Sequence, residues 1–151
     1  ADSGLCVPFS CALPEIEKIS AGRLDIALGS RRLKQSVIKR KQPLGRRIVS
    51  RLFRRAAILI AGLPSSISDS QCGFKVYRGD AARELFSSLR TTGFLFELEV
   101  ILKGLRRGLR IEEFPVEWTC DLDTRLHPSR QARKIMTELF QVRAATRERK
   151  F

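Results

Sequence analysis

Leu24-Asp25-Ile26-Ala27-Leu28-Gly29-Ser30-Arg31-Arg32 is the stretch on which the fold turns. Leu24 to Leu28 is short and apolar enough to be a buried strand, and Gly29-Ser30 marks its end. A strand that runs into Gly-Ser-Arg-Arg presents backbone groups and two guanidinium groups at one place, a good setting for a phosphate. Upstream, Leu13-Pro14-Glu15-Ile16-Glu17-Lys18-Ile19 puts Pro and Glu in a first helical turn and closes at Gly22, so a short helix precedes the strand.

Downstream, residues from Pro43 to Leu63 follow a helical period. At 100° per residue, Ile48, Val49, Leu52, Phe53, Ala56, Leu59, Ile60 and Leu63 fall on one side, expected to be apolar. Arg46, Arg47, Arg51, Arg54 and Arg55 fall on the other, a cationic face suited to lipid head groups. Arg46 and Ser50 stand one turn apart and can address the same anion.

A Ser-rich loop spans Pro64 to Ser70, and Phe74-Lys75-Val76-Tyr77 alternates like a short strand. Asp80 is placed to cap a helix from Ala81 to about Leu89. Another helix is predicted from about Leu95 to Arg107, ending at Gly108. Leu109 to Trp118 reads as a strand whose Pro115 suits an edge or a bulge. Pro128 to about Thr146 forms the last helix, with Ile135, Leu139 and Val142 on its apolar side. Helices that alternate with strands predict an α/β layer with at least partly parallel pairing.

The chain has 151 residues, enough for one domain and short for two. A hydrophobic content of 43% beside 30% charged residues permits a core and argues against disorder. The longest apolar run, Ala56 to Leu63, falls well short of the roughly 20 residues that span a bilayer as a helix. The first residues, ADSGLCVPFS, have no basic region of a signal peptide and read as a chain entered partway through. Cys6, Cys11, Cys72 and Cys120 form no Cys-x-x-Cys pair, and His127 is the single histidine. That pattern predicts reduced thiols rather than a structural zinc site.

The net charge of +13 is unevenly spread. Residues 31–55 contain 11 basic and no acidic side chains, and residues 125–151 contain 8 basic and 2 acidic. Residues 1–30 and 56–124 are each at −2. Block charge of this kind implies an anionic partner: nucleic acid, a phosphorylated ligand or an acidic membrane surface.

Three segments together carry a resemblance. They are Leu28-Gly29-Ser30-Arg31-Arg32, then Asp69-Ser70-Gln71-Cys72-Gly73-Phe74-Lys75-Val76-Tyr77-Arg78, then Gly93-Phe94-Leu95-Phe96-Glu97-Leu98-Glu99 continuing to Glu113-Phe114-Pro115-Val116-Glu117-Trp118. In order and spacing they resemble the C-terminal half of a family 2 glycosyltransferase, in the branch of dolichyl-phosphate glucosyltransferase and polyprenyl-phosphate mannosyltransferases. The resemblance implies an α/β, Rossmann-like GT-A fold that lacks its N-terminal strands, with residues 1–151 forming the C-terminal portion of one glycosyltransferase domain. Basic helices at about 43–63 and 128–147 belong to it. It also implies inverting transfer of a hexose from a nucleotide-sugar, of the UDP-glucose or GDP-mannose type, to a polyprenyl or dolichyl phosphate. The expected place is peripheral, at the cytoplasmic inner face of a membrane, on an anionic lipid surface.

Residue by residue, the resemblance gives Arg31, Arg46 and Ser50 to the acceptor phosphate, and Arg125 to the donor diphosphate. Asp69 takes the acidic position near the reacting centre as the catalytic candidate. Mg²⁺ or Mn²⁺ is implied on an Asp-x-Asp motif, of which Asp2 is the one acid in place: as the first acid it leaves Gly4 at the second, and with a one-residue offset it is the second acid and the first is missing. The segment that binds the nucleotide base in relatives, Pro-x-Tyr-Asn-Glu, does not occur in the sequence. The expectation is therefore a truncated or divergent member, weak or inactive alone, with an exposed sheet edge open to self-association. Whether the chain is itself an enzyme stays open at this point.

Two rival readings stand beside this one. A nucleic-acid-binding module would use the same basic block, but no recognised motif accompanies it and Phe53 is its lone aromatic, so no nucleic acid is expected. A non-catalytic membrane-surface protein would use the cationic helix alone. Glu97 and Glu99, two apart on a helix, diverge by about 200° and cannot face one bond together. Trp118 and the phenylalanines are expected in the core.

Overall fold

A computed structural model describes residues 6–39, 44–119 and 128–147. The candidates Asp2 and Arg125, together with Cys120 and His127, lie outside these residues.

The decisive strand is β1, Ile26–Ser30, buried at all five positions. It starts two residues later than the sequence suggests and runs through Gly29 and Ser30 rather than stopping at them. Gly29 is there for closeness, not for a turn. Its N–H donates to the Phe74 carbonyl at 2.8 Å, and an added Cβ would stand 2.7 Å from that oxygen and 2.9 Å from Val116 Cγ1.

β1 is the middle of three strands. On one side β3, Lys75–Tyr77, runs antiparallel with Ile26 opposite Tyr77. On the other, β4, Ile111–Pro115, runs parallel with Ile26 opposite Ile111 and Ser30 opposite Pro115. Pro115 thus ends an outer strand, where its missing N–H is tolerated. The single strand predicted from Leu109 to Trp118 divides at Val116. Its end, β5 (Glu117–Trp118), pairs in parallel with β2 (Val37–Ile38), a two-residue strand too short to show any period in the sequence. The whole is a mixed α/β fold with a small mixed sheet, compatible with a Rossmann-like arrangement.

Alternation along β1 sends side chains into two apolar layers. Ile26 and Leu28 join Leu98, Ile101, Leu139 and Val142 from two helices, α4 (Phe96–Arg106) and α5 (Pro128–Arg147). Ala27 faces the opposite layer, with Leu24, Phe74, Phe114, Val116 and Trp118, beside α1 (Leu13–Ser20). Leu139 and Val142 are fully buried, as the period of the last helix predicts.

Buried ionic side chains lock the helices in place. Glu99 of α4 is fully buried and accepts the N–H groups of Arg90 at 3.0 Å and Thr91 at 2.7 Å, with Lys103 Nζ at 2.5 Å. Glu97 instead meets Lys75 Nζ of β3 at 2.7 Å. The two glutamates diverge, as their spacing requires, and each anchors a different neighbour. Glu138 of α5 accepts the Leu95 N–H at 3.0 Å just ahead of α4. It can do so because residue 93 is glycine, whose Cβ would lie 2.2 Å from Glu138 Oε1.

Two helix expectations are corrected. α3 spans Gly79–Ser87, so Asp80 lies inside its first turn and Arg78 occupies the cap; the Asp80 carboxylate still accepts the Ala81 N–H at 2.8 Å. The long basic helix is α2, Leu44–Ala56, continued by a π turn at Ala57–Ala61. A π turn holds one residue more than an α turn, so the residues beyond it are rotated by about 100°. Ala57 and Ala61 face inward as a result, while Leu59 is 80% exposed. The apolar side predicted for α2 is divided: Phe53 and Ala56 pack partly against the core, whereas Ile48 and Leu52 are 56% and 57% exposed, and no residue of α2 itself is buried.

Candidate anion-binding site

Arg31 and Arg32 follow the end of β1 in a bend, and their side chains part to different partners. Arg31 turns toward the 64–70 loop. Its backbone N–H and Nε donate to Asp69 Oδ2 at 3.1 and 2.7 Å, and Nη2 donates to Oδ1 at 2.8 Å. The same guanidinium lies 5.2 Å from the centre of the Trp118 ring. Trp118 is thus a core residue, as expected, and also the surface on which Arg31 rests.

Arg32 turns toward α2 and donates from Nη2 to Ser50 Oγ at 2.8 Å. Arg47 and Arg51 flank Ser50 at three residues before and one after, so one helical face carries all three. Together with Ile38, opposite Trp118 in the β2–β5 pair, these residues line an open cavity of about 330 Å³. Four guanidinium groups and the Asp69 carboxylate surround it, a net of +3.

The electrostatics follow from this crowding. Burial pushes the Arg32 pKa down, and the charges of Arg54, Arg31 and Arg51 push it further, with only Asp69 opposing them. An anion in the cavity would relieve that repulsion. Burial acts to raise the pKa of Asp69, but the hydrogen bonds and charge of Arg31, aided by Arg32, outweigh it and hold the carboxyl below its ordinary value. Asp69 is therefore a fixed carboxylate rather than a strong base.

Of the residues predicted from sequence, the structure brings Arg31, Ser50 and Asp69 to one cavity. Arg46 is partly buried and does not line it. Arg32, Arg47, Arg51 and the Ile38–Trp118 wall were not singled out. The signal for two of them was available, because Arg47 and Arg51 share a helix face with Ser50 as well as Arg46 does. Arg54 is spent elsewhere: its Nε and Nη2 donate to the carbonyls of Ile67 at 3.3 Å and Ser65 at 2.8 Å, tying α2 to the loop that carries Asp69.

Mg²⁺ is usually held by one or two carboxylates together with the phosphates of its substrate. Among the described residues no three His, Cys, Asp or Glu side chains converge. Both oxygens of Asp69 face Arg31, so Asp69 is engaged elsewhere, and Asp2, the acid that the resemblance gives to the ion, lies outside the described residues. Cys11 and Cys72 are thiols without a disulfide, and burial raises the pKa of Cys72.

No family model matches the chain, and no solved structure matches it. Curated proteins do. The chain is 32% identical over 111 residues to the protein named Glycosyltransferase AglD from Haloferax volcanii, covering 74% of this chain and 17% of that protein. It is 40% identical over 53 residues to Dolichyl-phosphate beta-glucosyltransferase from Saccharomyces cerevisiae, covering 35% of this chain and 16% of that protein. With the protein of the same name from Dictyostelium discoideum it shares 28% identity over 130 residues, 85% of this chain and 39% of the relative. The chain spans less than half the length of each of these relatives. Consistent likeness to proteins of these names is what common descent would leave. The chain belongs to the family 2 glycosyltransferases, on the dolichyl-phosphate glucosyltransferase-like branch.

Proposed function

We propose that this chain forms the acceptor-binding portion of a glycosyltransferase that moves a hexose from a nucleotide-sugar to a dolichyl or polyprenyl phosphate. The observation that carries the reading is the cavity itself, where Arg31, Arg32, Arg47 and Arg51 converge with the Ser50 hydroxyl beside an apolar wall of Ile38 and Trp118. Guanidinium groups suit the oxygens of a phosphate monoester, and the wall suits the first carbons of a lipid attached to it.

The chemistry asks little of a base. A phosphate monoester, with a second pKa of about 6, is largely ionised at neutral pH. One of its oxygens attacks the anomeric carbon, the bond from that carbon to the nucleoside diphosphate breaks, and the configuration inverts. Asp69, the catalytic candidate, contributes by holding Arg31 in place rather than by taking a proton. Arg125 on the donor diphosphate and an ion on Asp2 belong to the same proposal and rest on the resemblance alone, since both residues lie outside the described ones.

Docking on a membrane completes the proposal. Leu44, Ile48 and Leu52 recur every fourth residue of α2 and are 73%, 56% and 57% exposed. Arg47, Arg51 and Arg55 flank this ridge. An apolar ridge edged with guanidinium groups complements an anionic bilayer, where each basic residue contributes about 1 kcal/mol. Among the described residues no helix is long and apolar enough to cross a membrane. The cationic cavity uses the same helix, so docking by α2 brings the cavity to the lipid surface. Self-association has a candidate surface too: β3 and β4 each have one strand neighbour among the described residues, and an unpaired edge favours pairing between copies.

Isothermal titration with farnesyl phosphate, farnesol and inorganic phosphate tests the reading. Farnesyl phosphate should bind most tightly, inorganic phosphate more weakly and farnesol not at all, with affinity falling as salt rises. Equal binding of farnesol would remove the phosphate from the account. Salt-sensitive binding of duplex DNA without any binding of farnesyl phosphate would favour the nucleic-acid reading instead.

A further inference from the structure

Glu113 lies on β4, opposite Leu28 of the buried strand, and so on one of the best-fixed parts of the backbone. It does not line the cavity. Its Oε1 accepts the backbone N–H groups of Ser68 at 2.9 Å and Asp69 at 2.8 Å, and its Oε2 accepts the Ser68 hydroxyl at 2.8 Å. With the Ser68 proton given to Glu113, the Ser30 hydroxyl donates to Ser68 Oγ at 2.8 Å. Ser30 Oγ in turn accepts the Arg32 N–H at 3.3 Å. One carboxylate therefore sits behind both arginines: behind Arg31 through the backbone of Asp69, and behind Arg32 through two serine hydroxyls.

We propose that Glu113 is a positioning residue of the anion site, fixing the 68–69 backbone so that Asp69 and Ser30 aim Arg31 and Arg32 into the cavity. Its functional meaning rests on the acceptor-phosphate reading given above; its action on Asp69 does not. Two N–H groups that converge on one carboxylate oxygen leave the peptide between them little freedom to turn. Without that hold, the bidentate contact of Asp69 with Arg31 would loosen.

The sign of one titration separates positioning from mere charge. The groups facing Asp69 are Arg31 and Arg32 from the end of β1, Cys72 from the following turn and Glu113 from β4. Removing the Glu113 charge, with geometry unchanged, would lower the pKa of Asp69, because a neighbouring negative charge is gone. Loosening Arg31 from Asp69 would raise it. Carbon NMR of the aspartate carboxyls should therefore show the Asp69 midpoint shifting upward in Glu113→Ala. In Glu113→Gln, whose amide oxygen still accepts both N–H groups, it should stay level or shift downward. A downward shift in both variants, or none in Glu113→Ala, overturns the proposal. Should Glu113→Ala fail to fold, Glu113→Asp draws the carboxylate back from both N–H groups by one methylene while its charge stays, and an unmoved Asp69 midpoint there overturns it equally.

Affinity for farnesyl phosphate supplies the functional arm, with roughly tenfold weaker binding in Glu113→Ala and near-native binding in Glu113→Gln. Native affinity in Glu113→Ala contradicts the positioning role. If the unaltered chain binds no farnesyl phosphate, the acceptor reading fails, and the Asp69 titration still decides the role of Glu113.

Discussion

Arg31 closes on Asp69 through three hydrogen bonds, two from its side chain and one from its backbone. Asp69 is 5% exposed, so its charge is withdrawn from water and depends on this partner. Arg31→Met should leave a buried carboxylate uncompensated and cost about 3 kcal/mol. Asp69→Asn keeps an acceptor for Arg31 and should cost less. Urea midpoints at pH 7 would show this order, and equal losses would mean that the pair matters only for packing.

A second carboxylate makes stability depend on pH. The side-chain hydrogen bond from Arg110 lowers the pKa of Asp25, burial opposes it, and the Arg110 backbone N–H with the charges of Arg110 and Arg78 completes a shift to about 2. Because the folded value lies below the unfolded one, the contribution is complete above pH 4 or so and is lost as pH falls toward 2. The lowered pKa of Asp69 acts in the same direction. Urea midpoints should drop through this window, and Asp25→Asn should flatten the drop. An equally steep drop in Asp25→Asn would assign the acid sensitivity to other groups.

The sequence announces elements that bury a whole face and hides those that depend on distant partners. The run Leu24–Leu28 and the period of the last helix are legible because an apolar face has to be written residue by residue. β2 is not, since two residues carry no period and their partner lies 80 residues away. The cavity follows the same division. Arg31, Ser50 and Asp69 are legible from a family likeness, whereas the choice of Arg47 and Arg51 over Arg46 depends on how α2 is turned against the 64–70 loop. Arg54 makes that attachment through carbonyls no side-chain pattern reveals. The π turn at Ala57–Ala61 misled the helical projection for a related reason: one added residue breaks a strict 3.6-residue count.

Gly29 is a test of the close approach at the sheet centre. A methyl group there meets the Phe74 carbonyl and Val116 before anything flexible can yield. Gly29→Ala should destabilise the chain by roughly 1–3 kcal/mol and loosen β1 from the Phe74 segment. Chemical denaturation measures the first effect and amide exchange of the Gly29 N–H the second. A stable variant with that amide still protected would refute the close-approach account.

The ridge on α2 should be separable from the fold. Ile48→Ser with Leu52→Ser alters exposed side chains, so stability should stay within about 0.5 kcal/mol. Partitioning onto vesicles containing phosphatidylglycerol should fall at least tenfold, while partitioning onto phosphatidylcholine vesicles is weak in both forms. Sedimentation with vesicles reads the result. A large stability loss would show that the ridge packs against protein, and unchanged partitioning would place the membrane contact elsewhere.

On the reading proposed above, the cavity between β1, α2 and the 64–70 loop holds a lipid phosphate. Phosphorus NMR of farnesyl phosphate titrated with the chain addresses it directly, because the resonance reports the phosphate and nothing else. The signal should shift with the unaltered protein and with Arg46→Gln, and the shift should be lost when Arg32→Gln and Arg51→Gln are combined. A shift that survives the paired substitution, or that disappears with Arg46→Gln alone, would contradict it.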